Sequence, residues 1–132
     1  MTVLFSGRWD RPHIAHAITF KRLAEQYDTI KLVLLNYAEQ EYSVAYRKQL
    51  LEEITAGMKG NFEIYVNCTH FGKITRQELE IFQPWDVYGS GNMEVLLHIE
   101  KLGYKTVYVE RAYDYAATDD RTMKRIREVL AK

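Results

Sequence analysis

The chain has 132 residues, 47% apolar and 27% charged, the proportions of one globular domain with a sizeable core. Lys+Arg and Asp+Glu are equal at 18 each, so no net field draws the protein to nucleic acid or to an acidic membrane. No apolar run approaches the roughly 20 residues of a bilayer span.

The single cysteine, Cys68, rules out an internal disulfide and fits a reducing compartment. The start is too short and, past Phe5, too polar for a signal peptide. A cytoplasmic, soluble protein is expected.

In chain order, TVLFS (2–6) reads as a strand, and SGRWDRPHIAH (6–16) leads from it into a helix over 14–27. TIKLVLLN (29–36) is the second strand. Helix 43–58 follows, with Ser43 as N-cap and Gly57 and Gly60 as stops. Strand 61–67 precedes a helix over 74–82 that Pro84 ends. Strand 85–90 runs through YGSGN into helix 92–103, capped by Asn92 and stopped at Gly103. Strand 105–110 and a last helix over 118–132, with Thr118 as N-cap, complete five strand–helix units. Such alternation implies a doubly wound, Rossmann-like, five-stranded parallel sheet with helices on both faces. Ligands of these sheets collect beyond the carboxyl ends of the strands. The segments 6–16, 36–42, 88–92 and 110–121 should therefore share one rim.

The first of these segments carries the densest chemistry. Pro12 suits the opening turn of a helix. His13 and His16 then stand at i and i+3 on one face of it. A helix N-terminus presents backbone amides and partial positive charge, and with Arg8 and Arg11 beside it the corner reads as an anion pocket suited to phosphate. The plain structural alternative is that one histidine caps the turn while the other packs. Zinc is a further option, since His13 with His16 and Cys68 with His70 form close pairs, but neither has the usual finger spacing. His98 reads as a packed or surface residue. Neither a G-x-G-x-x-G turn nor a Walker P-loop is present, which argues against hydride transfer and P-loop hydrolysis.

GRWDRPHIAH resembles the G-x-F-D-x-x-H-x-G-H signature of the cytidylyltransferase-like nucleotidyltransferases, with Gly7, Asp10, His13 and His16 in register. Trp9 stands for the aromatic residue and Ala15 for the usual glycine. YSVAYRKQLLEEI is similar to the family's second block, with Arg47 at its arginine. ERAYDYAATDDRTMKRIRE resembles its closing segment, with Arg111, Thr118 and Arg121 matching. The resemblance implies transfer of a nucleoside monophosphate from a nucleoside triphosphate to a small phosphorylated acceptor, with release of pyrophosphate.

By that resemblance His13 and His16 would hold the triphosphate and its transition state. Asp10 would orient the acceptor or Mg2+, with the metal held largely by the triphosphate itself. Ser6, Gly7, Arg8, Trp9, Arg47, Gly91, Asn92, Arg111, Thr118 and Arg121 would complete the nucleotide and phosphate contacts. Asp10 and the short length lean toward CTP, whereas the GR opening and the S-G-N of YGSGN look more like the archaeal-type nicotinamide-mononucleotide adenylyltransferases, which use ATP. CTP is expected over ATP. Ala116 and Ala117 stand where hydroxyl residues are common and Asp120 where an apolar residue is usual, which motivates the alternative of a nucleotide-binding module that has lost catalysis. A homodimer, common in the family, could use the tyrosines and the apolar residues of LEIFQPW as its interface.

Overall fold

The computed structural model describes residues 1–110. The expected helix 118–132, with Arg111, Ala116, Ala117, Thr118, Asp120 and Arg121, lies outside the described residues. Within them the order is β1 (Thr2–Gly7), α1 (Ile14–Gln26), β2 (Thr29–Leu35), α2 (Val44–Ala56), β3 (Asn61–Asn67), α3 (Arg76–Glu80), β4 (Val87–Ser90), α4 (Met93–Lys101) and β5 (Thr106–Tyr108). All strand pairs are parallel, in the order β3-β2-β1-β4-β5. The expected five-stranded, Rossmann-like sheet is what forms.

The period-2 pattern of the strands divides the core. Val3 and Phe5 of β1 and Ile30, Leu32 and Leu34 of β2 point to one face, where α1 contributes Ala17, Phe20 and Leu23 and α2 contributes Leu51 and Ile54. Leu4, Val33, Leu35 and Tyr88 point to the other, against Leu79 of α3 and Val95, Leu96 and Ile99 of α4. Lys31 shares the parity of Val33 and is buried with them. Its Nζ donates to the Phe82 carbonyl at 2.8 Å, which satisfies the ammonium just past the end of α3.

Several boundaries move for local reasons. Helix α1 opens at Ile14, with His13 as its N-cap, so Pro12 precedes the helix instead of starting it. Helix α3 covers five residues, not the nine of 74–82, because Thr75 forms a capping box with Glu78 and the chain turns at Ile81. Strand β4 begins only at Val87. The preceding Asp86 pairs with Thr2 instead, its amide donating to the Thr2 carbonyl and its carboxylate accepting the Thr2 amide. The segment proposed as a dimer interface is core: Leu79, Phe82 and Trp85 are buried, and Ile81 is the one large apolar residue of 79–85 left in solvent.

Phe20 is fully buried and meets both Phe5 and Trp9 edge-on. Phe20→Ala is expected to cost about 3–5 kcal/mol in urea unfolding. Ile81→Ala, at a side chain 75% exposed, is expected to change stability by no more than about 0.5 kcal/mol. Equal losses would contradict this assignment of the core.

Candidate nucleotide site

The sheet reverses its winding at β1, which has β2 on one side and β4 on the other. A cavity of about 730 Å³ opens there, lined by the carboxyl ends of both strands. Its size is that of a small-molecule site. From β1 and the following loop come Ser6, Gly7, Arg8, Trp9, Asp10 and Arg11; from the start of α1, His13 and His16; from β4 and the following turn, Ser90, Gly91 and Asn92. Nine residues expected from the sequence thus share one cavity: Ser6, Gly7, Arg8, Trp9, Asp10, His13, His16, Gly91 and Asn92.

The histidines form a capping box of an unusual kind. His13 Nδ1 accepts the Ala15 amide at 3.2 Å, and His16 Nδ1 accepts the His13 amide at 3.1 Å. The rings stack with centroids 3.8 Å apart. A nitrogen that accepts an amide hydrogen bond carries no proton, so in the neutral rings both protons sit on Nε2. Both residues therefore cap the helix, which is more than the sequence reading gave either. One consequence runs against that reading: the Ala15 amide, expected among the phosphate donors, is already occupied by His13.

Gly7 is required by packing. A Cβ there would stand 2.6 Å from the Trp9 ring. Trp9 itself is buried, packed on Phe5 and Phe20, so it supports the cavity floor from the core instead of standing free to stack on a base. Ser6 Oγ lies 2.6 Å from the Tyr88 hydroxyl, and Ser90 Oγ accepts the Asn92 amide. Asn92 in turn caps α4 through Oδ1. Burial pushes the Tyr88 phenol up to about 12, with Ser6 and Ser90 opposing, so it is neutral at physiological pH. These hydroxyls bridge β1 and β4 across the switch point.

Arg47 departs from expectation. It is fully buried and does not line the cavity; its guanidinium is taken up by the protein itself. Nε donates to the Tyr42 carbonyl at 3.0 Å, Nη1 to the Arg8 and Leu35 carbonyls at 2.7 and 3.2 Å, and Nη2 to Asn36 Oδ1 at 2.8 Å. Burial lowers its pKa, Asp10 raises it and Arg8 lowers it further. Asp10 is likewise engaged, accepting the Glu41 and Tyr42 amides at 2.8 and 2.9 Å. Burial alone would raise its carboxyl; the two amides and the nearby Arg47 and Arg8 outweigh it and hold the group below its ordinary value.

Tyr37, His70, Phe71, Tyr88 and Glu110 also line the cavity and were not among the expected site residues. His70 and Phe71 follow β3, and the carboxyl end of that strand was the available signal. Cys68 lies exposed nearby, and His98 bonds the Ile74 carbonyl through Nε2. Among the described residues no three His, Cys, Asp or Glu side chains come together as metal ligands. No helix among the described residues is long and apolar enough to cross a membrane.

No protein-family model matches the chain, and no curated protein matches it in sequence. Solved structures do match. One is a bifunctional NMN adenylyltransferase/ADP ribose pyrophosphatase from Francisella tularensis, complexed with AMP and a Mn ion, similar at a TM-score of 0.60 and 12% identity. The match covers 99% of this chain and 49% of that one, so the chain spans about half the length of that neighbour. At this identity the likeness is one of fold.

Arg47→Met leaves its acceptors without donors and is expected to cost about 3–5 kcal/mol in chemical unfolding. The Asp10 carboxyl is depressed below its ordinary 3.8 in the folded state. The stability it contributes is therefore full above that value and is lost as pH falls through the lower folded one. Wild type is expected to exceed Asp10→Asn in stability at about pH 5–7, with the gap closing in more acid solution.

Proposed function

We propose that the chain is a nucleotidyltransferase that moves a nucleoside monophosphate from CTP or ATP to a small phosphorylated acceptor. The observation that carries this reading is the stacked His13–His16 pair at the switch-point cavity, each ring turned so that Nδ1 faces the backbone and Nε2 bears the proton. Two imidazole N–H groups at a helix N-terminus suit phosphoryl oxygens. The fold likeness to an adenylyltransferase crystallised with AMP supports it, as do the signature residues Gly7, Asp10, His13 and His16.

In the reaction an acceptor phosphate oxygen attacks the α-phosphorus. A new P–O bond forms, the bond from the α-phosphorus to the β-bridging oxygen breaks, and the electron pair leaves with pyrophosphate. No covalent enzyme intermediate is needed. His13 and His16 stabilise the charge that grows on the phosphoryl oxygens, and the amides of α1 and the exposed Arg8 contribute positive potential. Ser6, Gly91 and Asn92 line the β1–β4 side for the nucleotide. Arg111, Thr118 and Arg121 would bind the β- and γ-phosphates. Asp10 and Arg47 act by holding the loops in place. Mg2+, carried on the triphosphate oxygens, would supply further charge neutralisation.

A second reading has support in the same bonds. Both histidines and Asp10 already serve the fold, as they would in a module that binds a nucleotide without turning it over. Pyrophosphate release separates the two. Wild type with Mg2+, CTP or ATP and a phosphorylated acceptor is expected to release pyrophosphate, chelation to stop it, and the more active triphosphate to name the base. His16→Ala is expected to lower kcat by about 10²–10³-fold, while the lost cap costs about 1 kcal/mol of stability. Saturable nucleotide binding without pyrophosphate from any acceptor would establish the second reading. Full activity in His16→Ala would contradict the mechanism.

A further inference from the structure

Strand β3 (Asn61–Asn67) stands last in the order β3-β2-β1-β4-β5 and pairs only with β2 among the described residues. The Asn61 amide donates to the Asp28 carbonyl, and the Asn67 carbonyl accepts the Asn36 amide. The odd-numbered residues of β3 thus turn their backbone groups toward β2, and Phe62, Ile64 and Val66 turn theirs away from the sheet. Long edges are ordinarily protected by lysine, proline or a bulge. NFEIYVN holds neither residue, and its register against β2 is unbroken. Its one charge, Glu63, accepts the Tyr65 hydroxyl at 2.6 Å. Phe62 and Ile64 are only partly buried against the α1/α2 face, and Val66 is 41% exposed.

The strand is also close to a palindrome about Ile64. Laid antiparallel on a second copy, Ile64 faces its own counterpart, Phe62 faces Val66, Glu63 faces Tyr65 and Asn61 faces Asn67. In that register residues 62, 64 and 66 form the hydrogen-bonded pairs, so each outward amide meets an outward carbonyl. Phe62, Ile64 and Val66 of both copies join in one apolar strip on one face. On the other face the carboxylate of Glu63 meets a Tyr65 hydroxyl, and no like charges stand opposed. A slip of two residues sets Glu63 against Glu63 in one direction and carries Phe62 beyond the paired strand in the other.

We propose that this edge is an interface between two copies of the chain, joined antiparallel through β3 into one continuous sheet with its two-fold axis at Ile64. The two switch-point cavities then open at opposite ends of the joined sheet. The interface does not depend on the nucleotidyltransferase reading.

Sedimentation velocity on the full chain over about 1–100 μM is expected to show a concentration-dependent dimer. Val66→Lys, at an exposed side chain, is expected to weaken it at least about tenfold. Ile64→Pro removes an outward amide and no bond to β2, and is expected to do the same; Val66→Lys keeps the test valid if Ile64→Pro misfolds. Met93→Lys, at a 57% exposed side chain on α4, is the control and is expected to leave the dimer unchanged.

Oxidative cross-linking in a Cys68→Ser background reads the register. Facing Cα atoms of a hydrogen-bonded pair stand about 5.5 Å apart, within disulfide reach, so Ile64→Cys is expected to yield a covalent dimer. Glu63→Cys sets its two thiols on a diagonal, with Cα atoms beyond about 7 Å, and is expected to yield little. A monomer at every concentration would leave the edge to another occupant and overturn the proposal. So would a dimer indifferent to both β3 variants, one weakened equally by Met93→Lys, or equal cross-linking at positions 63 and 64.

Discussion

The cavity depends on one buried cation. Arg47 gathers the carbonyls of Arg8, Leu35 and Tyr42 and the side chain of Asn36, so that the loops after β1 and β2 and the start of α2 become one body. Asp10 closes the same junction from the other side by holding the Glu41 and Tyr42 amides, with its carboxylate 4.0 Å from Arg47 Nε. A guanidinium removed from water is costly unless its donors are met, and here the acceptors belong to segments that would otherwise be separate loops. Arg8 lines the cavity beside this junction, its Nη2 donating to the Glu39 carbonyl at 3.1 Å and to Gln40 Oε1 at 3.3 Å. The family-like arginine thus acts on the site through the backbone it organises.

The histidine pair solves a different constraint. The ordinary capping box uses a hydroxyl residue and a glutamate, which would place a carboxylate at the mouth of the proposed phosphate site. An imidazole can accept an amide bond at one nitrogen and donate at the other. Two of them spaced i and i+3 therefore cap α1 through Nδ1 while the neutral rings keep their protons on Nε2, and stacking fixes both rings at once. The structural and functional readings of HIAH do not compete; the cap orients the donors. On the other side of β1 the Ser6–Tyr88 contact ties β4 to the same corner, and the high pKa of the Tyr88 phenol keeps that contact uncharged.

Much of this was legible in the sequence because it is local. Short apolar runs announce β1 and β2, Ser43 and Asn92 cap the helices they were expected to cap, and the rim follows from parallel strands having their carboxyl ends together. What escaped depends on distance. Nothing local shows that Arg47 turns inward, that LEIFQPW packs under the sheet, or that Trp9 faces Phe20 and not the ligand. His70 read as a possible metal partner of Cys68, since only the tertiary fold brings it beside Tyr37. The short α3 escaped because a capping box and the turn at Ile81 outweigh a helical period that continues on paper.

The central claim is that the Nε2 nitrogens of His13 and His16 meet a triphosphate. The chain has 4 histidines, and His98 is held on the Ile74 carbonyl, outside the residues that line the cavity. The direct measurement is an NMR titration of ¹⁵N-labelled imidazoles with a non-hydrolysable CTP or ATP analogue and Mg2+. The account predicts saturable shifts at Nε2 of His13 and His16 with His98 unmoved. Saturable binding that leaves both rings unshifted, or no binding of either analogue, would contradict it.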